Sequence, residues 1–134
     1  MKQYFIAYRY SGEDLMTLEQ RINTVTMALA THDIKAYATL SEESQFVQNK
    51  VTAGDIMKQS FAKIDNADGL FVLIAGSQKS EGQLMEFGYA LAKKKPIVVA
   101  YQEGVNTYIH ELATQWISYS DLKDLSEQIQ ELKL

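Results

Sequence analysis

The sequence predicts an α/β fold, a single parallel β-sheet covered by helices on both faces. Two observations lead there. Short apolar runs alternate along the chain with segments whose apolar residues recur at helical spacing. The most apolar of those runs, "GLFVLIA" from Gly69 to Ala75, shows no polar alternation, as suits a strand buried on both faces of a parallel sheet. The 134 residues are enough for one domain, predicted over 1–134.

The elements follow in order. "YFIAY" (Tyr4 to Tyr8) is aromatic and β-branched and reads as a buried strand. Ser11-Gly12-Glu13-Asp14 resembles a capping box with Ser11 as N-cap. The helix it opens carries Leu15, Leu18, Ile22, Val25, Met27 and Leu29 and runs to about Thr31. "IKAYATL" (Ile34 to Leu40) alternates weakly and reads as a second strand, and Ser41 to Lys50 reads as a polar loop. Thr52 is the next cap, before a helix with Ile56, Phe61 and Ile64 on its apolar face.

After the "GLFVLIA" strand, Ser80-Glu81-Gly82-Gln83 is a further capping box, and Pro96 ends the helix that it opens. "IVVAY" (Ile97 to Tyr101) and "QWISY" (Gln115 to Tyr119) are strands. Ser120 caps a last helix with Leu122, Leu125, Ile129 and Leu132. The alternation implies a flavodoxin-like, Rossmann-like three-layer sandwich with five parallel strands in the order 2-1-3-4-5. Ligands of such sheets bind beyond the strand C-terminal ends, at the point where strand order reverses. Here that means the loops "RYSGED" and "GSQKSEG".

Composition excludes several functions. A net charge of −4, with no like-charge run beyond Lys93-Lys94-Lys95, speaks against a nucleic-acid polymer as partner. A small anionic ligand stays possible, since backbone amides and one or two cations can hold a phosphate. The absence of cysteine excludes disulfides, thiolate catalysis and zinc–sulfur sites. The two histidines, His32 and His110, have no ligand spacing, so neither metal nor cofactor is expected. No apolar run approaches the ~18 residues of a membrane span, and the N-terminus is too short and polar for a signal peptide, so a cytoplasmic protein is expected.

One residue stands out. Glu86 lies among Met85, Phe87, Gly88, Tyr89 and Ala90. On a helical wheel, Leu84, Phe87, Gly88 and Leu91 form the stripe expected to face the sheet, and Glu86 falls nearly opposite. Taken alone, that makes Glu86 a solvated carboxylate. Its own face, however, carries Met85, Tyr89 and Ala90, with Gly82 one turn earlier. A helix apolar on two sides is usually buried on two sides. The expected second cover is another subunit, which would place Glu86 beside a pocket in a homo-oligomer. Burial would raise its pKa, the setting of a nucleophile or general base.

The stretch "AD-G-LFVLI…S-E-G-Q-L-M-E-F-G-Y-A-L-A-K-K-K-P-I" resembles the nucleoside 2-deoxyribosyltransferases and their relatives, the 2′-deoxynucleoside 5′-monophosphate N-glycosidases. Asp68, Ser80, Gly82, Glu86, Gly88 and Ala90 occupy the pattern's positions, and the likeness extends weakly over most of the chain. The resemblance implies cleavage or transfer at the N-glycosidic bond of a deoxynucleoside or its 5′-monophosphate, with Glu86 attacking the anomeric carbon. It implies that Asp68 orients the sugar or assists the leaving base. The plain alternative for Asp68 is a residue joining helix to strand.

Ser80 would cap its helix and, as in the nucleotide-hydrolysing relatives, meet a 5′-phosphate at the helix N-terminus. The first loop stands where the family places sugar and phosphate contacts: Tyr8 to stack on the base, Arg9 to pair a phosphate, Ser11 and Gly12 beside them. This loop lacks the relatives' richer Gly/Arg content. Asn106 is the counterpart sought for a residue that the transferases supply from a neighbouring subunit. Two other readings compete. "YFIAYRYSGED" resembles the opening of TIR-like domains, some of which cleave NAD, and a non-catalytic nucleotide-binding module would keep the same fold.

Overall fold

The computed structural model describes residues 1–134. Five strands, β1 (Lys2–Ala7), β2 (Ile34–Tyr37), β3 (Gly69–Ile74), β4 (Ile97–Gln102) and β5 (Gln115–Tyr119), form one sheet. All neighbours pair in parallel, in the order β2-β1-β3-β4-β5 predicted from the sequence. Five α-helices accompany them: α1 (Leu15–Ala30), α2 (Glu43–Gln48), α3 (Ala53–Asp65), α4 (Glu81–Ala92) and α5 (Leu122–Glu131). No helix is long and apolar enough to cross a membrane.

The strands' two-residue period splits the core in two. Tyr4 and Ile6 of β1, Phe71 and Leu73 of β3, and Val98 and Ala100 of β4 pack with Leu18, Val25 and Leu29 of α1 and Leu125 and Ile129 of α5. The intervening residues, Phe5, Ala7, Leu70, Val72, Ile97 and Val99, pack with Ile64 of α3 and with Phe87 and Ala90 of α4. Every residue of β3 is buried, as its unbroken apolar run requires. On α1, Leu15 and Met27, expected on the core face, are exposed, and Ala28 takes the core position instead.

Several boundaries differ from expectation for local reasons. Asp14, not Ser11, caps α1, accepting from Thr17 N at 3.0 Å. Ser11 sits instead in a turn closed by Glu13 N donating to Tyr10 O, which Gly12 completes with φ of +78°. Asp121, not Ser120, caps α5, and Ser120 donates to Asp124 through both its amide and its hydroxyl. The second strand stops at Tyr37. Beyond it, the expected polar loop folds into a 3₁₀ turn (Thr39–Glu42) and α2. Neither has a buried residue, so no apolar period announced them. They are held by polar ties, such as Tyr37 Oη donating to Glu42 at 2.6 Å.

The largest correction concerns α4. Its buried residues are Gln83, Glu86, Phe87 and Ala90. Leu84, Gly88 and Leu91, predicted to face the sheet, are exposed, as is Met85. The helix is turned so that Glu86 points into its own chain, and no second subunit is needed to bury it.

Candidate active site

The rotation of α4 has a visible cause. Ser80 caps the helix by accepting from Gln83 N at 3.2 Å. The Gln83 side chain does not reach back to complete the capping box. Its Nε2 instead donates to Ala7 O at 3.1 Å and Leu73 O at 2.8 Å. Those carbonyls end the adjacent strands β1 and β3, where the sheet's connections diverge. A buried amide satisfying two strand-end carbonyls outweighs an exposed cap contact, because an unpaired buried carbonyl costs about 1–3 kcal/mol. With Gln83 turned inward, Glu86, three residues on, faces the same way.

Glu86 is 8% exposed and lines a pocket of about 280 Å³. The floor is Ile6 and Tyr8 of the first strand and its extension. Ser60, Met57 and Ile56 of α3 form one wall, and Thr39 and Glu43 another. Burial is the main cause that pushes the Glu86 carboxyl up to about 7, and the charge of Glu43 adds to it. The neighbouring Ser60 hydroxyl, itself buried, acts in the opposite sense. Glu43 is held by Tyr8 Oη at 3.0 Å and Thr39 Oγ1 at 3.3 Å. Burial raises the Tyr8 phenol far above its ordinary range, so it stays a donor.

The structure brings Tyr8, Ser11, Ser80, Gly82 and Glu86 to this pocket. Four other expected residues lie elsewhere. Asp68 is at the opposite, N-terminal edge of the sheet. Its carboxylate accepts from Gln3 N at 2.8 Å and its amide donates to Gln3 O, so it fastens β3 to β1 there. Arg9 is tied to Glu13 at 3.0 Å and Gln78 at 2.5 Å, beside Gly12, in a separate small cleft. Asn106 is exposed, and its carbonyl accepts from Lys79 Nζ.

Glu43 and Ser60 were missed. Glu43 lies in a segment with no apolar pattern and is brought over the end of β1 by the Tyr8 hydrogen bond. Ser60, by contrast, stands at helical spacing between Ile56 and Ile64 on α3, a signal that could have found it. A strand-end position at the C-terminal side of the sheet was the one signal available for Glu43.

The pocket wall is electrostatically one-sided. Glu43, Glu81 and Glu86 line it, and no Lys, Arg or His does. No cluster of three or more His, Asp or Glu side chains able to hold a metal ion forms anywhere in the chain. The site can therefore present a buried carboxylate to an electron-poor carbon, next to hydroxyl donors and a second carboxylate.

A family model described as nucleoside 2-deoxyribosyltransferase matches residues 12–126. Among solved structures, the chain is similar to the Clostridium botulinum CMP N-glycosidase BcmB, with 19% identity, 98% of this chain and 100% of that one covered, and a TM-score of 0.71. It is similar to a conserved protein from Enterococcus faecalis V583, with 18% identity, 98% of each chain covered and a TM-score of 0.67. It is also similar to a 2-deoxyribosyltransferase from the psychrotolerant bacterium Bacillus psychrosaccharolyticus, with 15% identity, 98% and 93% covered and a TM-score of 0.63. At these identities the structures speak to the fold. No curated protein sequence matches the chain.

Proposed function

The chain belongs to the nucleoside 2-deoxyribosyltransferase family, and on that premise we propose that it cleaves or transfers the N-glycosidic bond of a 2′-deoxynucleoside, with Glu86 as nucleophile. The observation that carries this reading is the burial of the Glu86 carboxylate in a pocket of ligand size, one turn after the residue that locks its helix to β1 and β3.

The chemistry follows from the transition state. As the C1′–N bond stretches, positive charge develops at C1′ and the ring oxygen, and a nearby carboxylate stabilises it. Glu86 then bonds to C1′ while the bonding electron pair leaves with the base. Water or a second base attacks C1′ of the glycosyl ester and returns the pair to Glu86. A carboxyl that titrates near neutrality is poised between the protonated and reactive forms.

The lining favours a neutral nucleoside over its 5′-monophosphate. A phosphate dianion would enter a wall with three glutamates and no cation, and Arg9 is engaged elsewhere. We also propose a homo-oligomer. Leu84, Met85 and Leu91 are exposed along α4, around Gly88, and a second copy would cover them. A monomer mass by light scattering at high concentration would remove this part.

The test is base release. The protein is incubated with a deoxynucleoside with and without an acceptor base, with a deoxynucleoside monophosphate, and with NAD. Release from the deoxynucleoside, lost in Glu86→Ala, is the expected result. Nicotinamide release alone would favour the TIR-like reading. Binding without turnover would leave a nucleotide-binding module.

A further inference from the structure

The reaction above moves a proton at two moments, and Glu86, bonding to C1′, performs neither transfer. The departing base must gain one. Later, the attacking water or acceptor base must lose one, while Glu86 is bonded to C1′.

The pocket offers few candidates. Its titratable side chains are Tyr8, Tyr10, Glu43, Glu81 and Glu86. The Tyr8 phenol already donates to Glu43 and is held protonated. Tyr10 and Glu81 are exposed at the rim. Glu43 differs from all of these. It is half-buried at the start of α2 and faces Glu86 closely enough that its charge acts on that carboxyl. Both of its fixed hydrogen bonds, from Tyr8 and Thr39, fall on Oε1. This leaves Oε2 for a ligand and holds the group in one orientation, as a proton-transfer group requires.

We propose that Glu43 is the second catalytic carboxylate of the pocket, exchanging the proton that the leaving base gains and the incoming nucleophile gives up. The proposal rests on the N-glycosidic reading. In the first step, the proton that Glu86 holds at rest passes to Glu43, and Glu86 bonds to C1′ as the carboxylate. The C1′–N pair stays on the base, and the base takes that proton from Glu43. In the second, the oxygen of water, or the nitrogen of an acceptor base, bonds to C1′. Its proton passes to the Glu43 carboxylate, and the C1′–O pair returns to Glu86. The sum is nucleoside plus water giving free base plus sugar, or an exchange of bases, with both glutamates restored. The two carboxylates share a single proton across the cycle, the arrangement expected when like charges face one another in one site.

The experiment uses the full chain and a deoxynucleoside whose leaving base is acidic enough to depart without protonation. Wild-type turnover is read first. Glu43→Gln is expected to release one equivalent of base per active site in a burst. Turnover then falls by roughly 10²–10⁴-fold, and a deoxyribosyl adduct appears by intact mass. In Glu43→Ala, azide, which needs no base to attack, restores turnover and yields the deoxyribosyl azide.

Glu43→Gln turnover close to wild type overturns the proposal and leaves the role of Glu86 standing. So does a variant that keeps its circular dichroism but shows neither burst nor azide rescue. A wild-type protein that releases no base from any deoxynucleoside overturns both readings together.

Discussion

Gln83 Nε2 donates to the carbonyl oxygen of Leu73 at 2.8 Å, joining the first turn of α4 to the end of β3. The same nitrogen reaches Ala7 O at the end of β1. One amide therefore holds two neighbouring strands and the helix that carries Glu86. Removing it takes a donor from two buried carbonyls. Gln83→Leu is expected to destabilise the protein by about 2–4 kcal/mol, somewhat above the cost of one such group. Urea denaturation should show a lower midpoint with an unchanged slope. An unaltered midpoint would mean that α4 is held by apolar packing alone.

Glu86 makes stability depend on pH. Its folded carboxyl is pushed up to about 7 from an ordinary value of 4.5. Between those values the folded state keeps a proton that the unfolded state has lost. The contribution is therefore fully present below pH about 4.5 and is lost as pH rises to about 7, at most about 3 kcal/mol. Glu86→Gln, which cannot ionise, should flatten that segment of the stability profile. Retention of the slope in the variant would place the titration on another group.

Activity should depend on pH in the opposite sense. With a deoxynucleoside whose base departs without protonation, only the Glu86 carboxylate is required, so kcat/KM is expected to fall tenfold per unit just below pH about 7. A profile flat from pH 5 to 8 would contradict a nucleophile with that pKa.

Ser80 Oγ accepts from Gln83 N at 3.2 Å and has no other bond within the chain. Ser80→Ala is expected to cost about 1 kcal/mol, the ordinary worth of a cap. For a neutral nucleoside, KM should stay within about twofold of wild type, because uniform binding would be little changed. A large rise in KM with full stability would make Ser80 a substrate contact first and a cap second.

Arg9 is occupied by Glu13 and Gln78 outside the Glu86 pocket. Arg9→Ala should leave deoxynucleoside kcat/KM within about twofold of wild type. A loss confined to the deoxynucleoside monophosphate would show that the guanidinium swings inward to meet a phosphate, reversing the preference proposed here.

Gly69 lies against Tyr4. A Cβ there would stand 2.7 Å from Cε1 and Cε2 of that buried ring. Gly69→Ala is expected to cost about 1–3 kcal/mol through overpacking, read from the thermal midpoint. Unchanged stability would mean that the ring moves aside freely.

Much of the fold was legible in the amino-acid sequence because its signals are local. The apolar run of β3, the caps at Thr52 and Ser80, and the alternation of strand and helix patterns depend on near neighbours. Together they determined five parallel strands in the order 2-1-3-4-5. They also directed attention to Glu86 and the two loops beside it. Periodicity could not orient α4, because apolar residues occur all round that helix. Its wheel suggested that Leu84 and Leu91 face inward. The tertiary structure reversed this because two strand-end carbonyls, distant in sequence, need a donor, and Gln83 supplies it. The same kind of long-range closure separates Asp68 from the pocket. It also carries Glu43, which has no pattern of its own, to the wall facing Glu86.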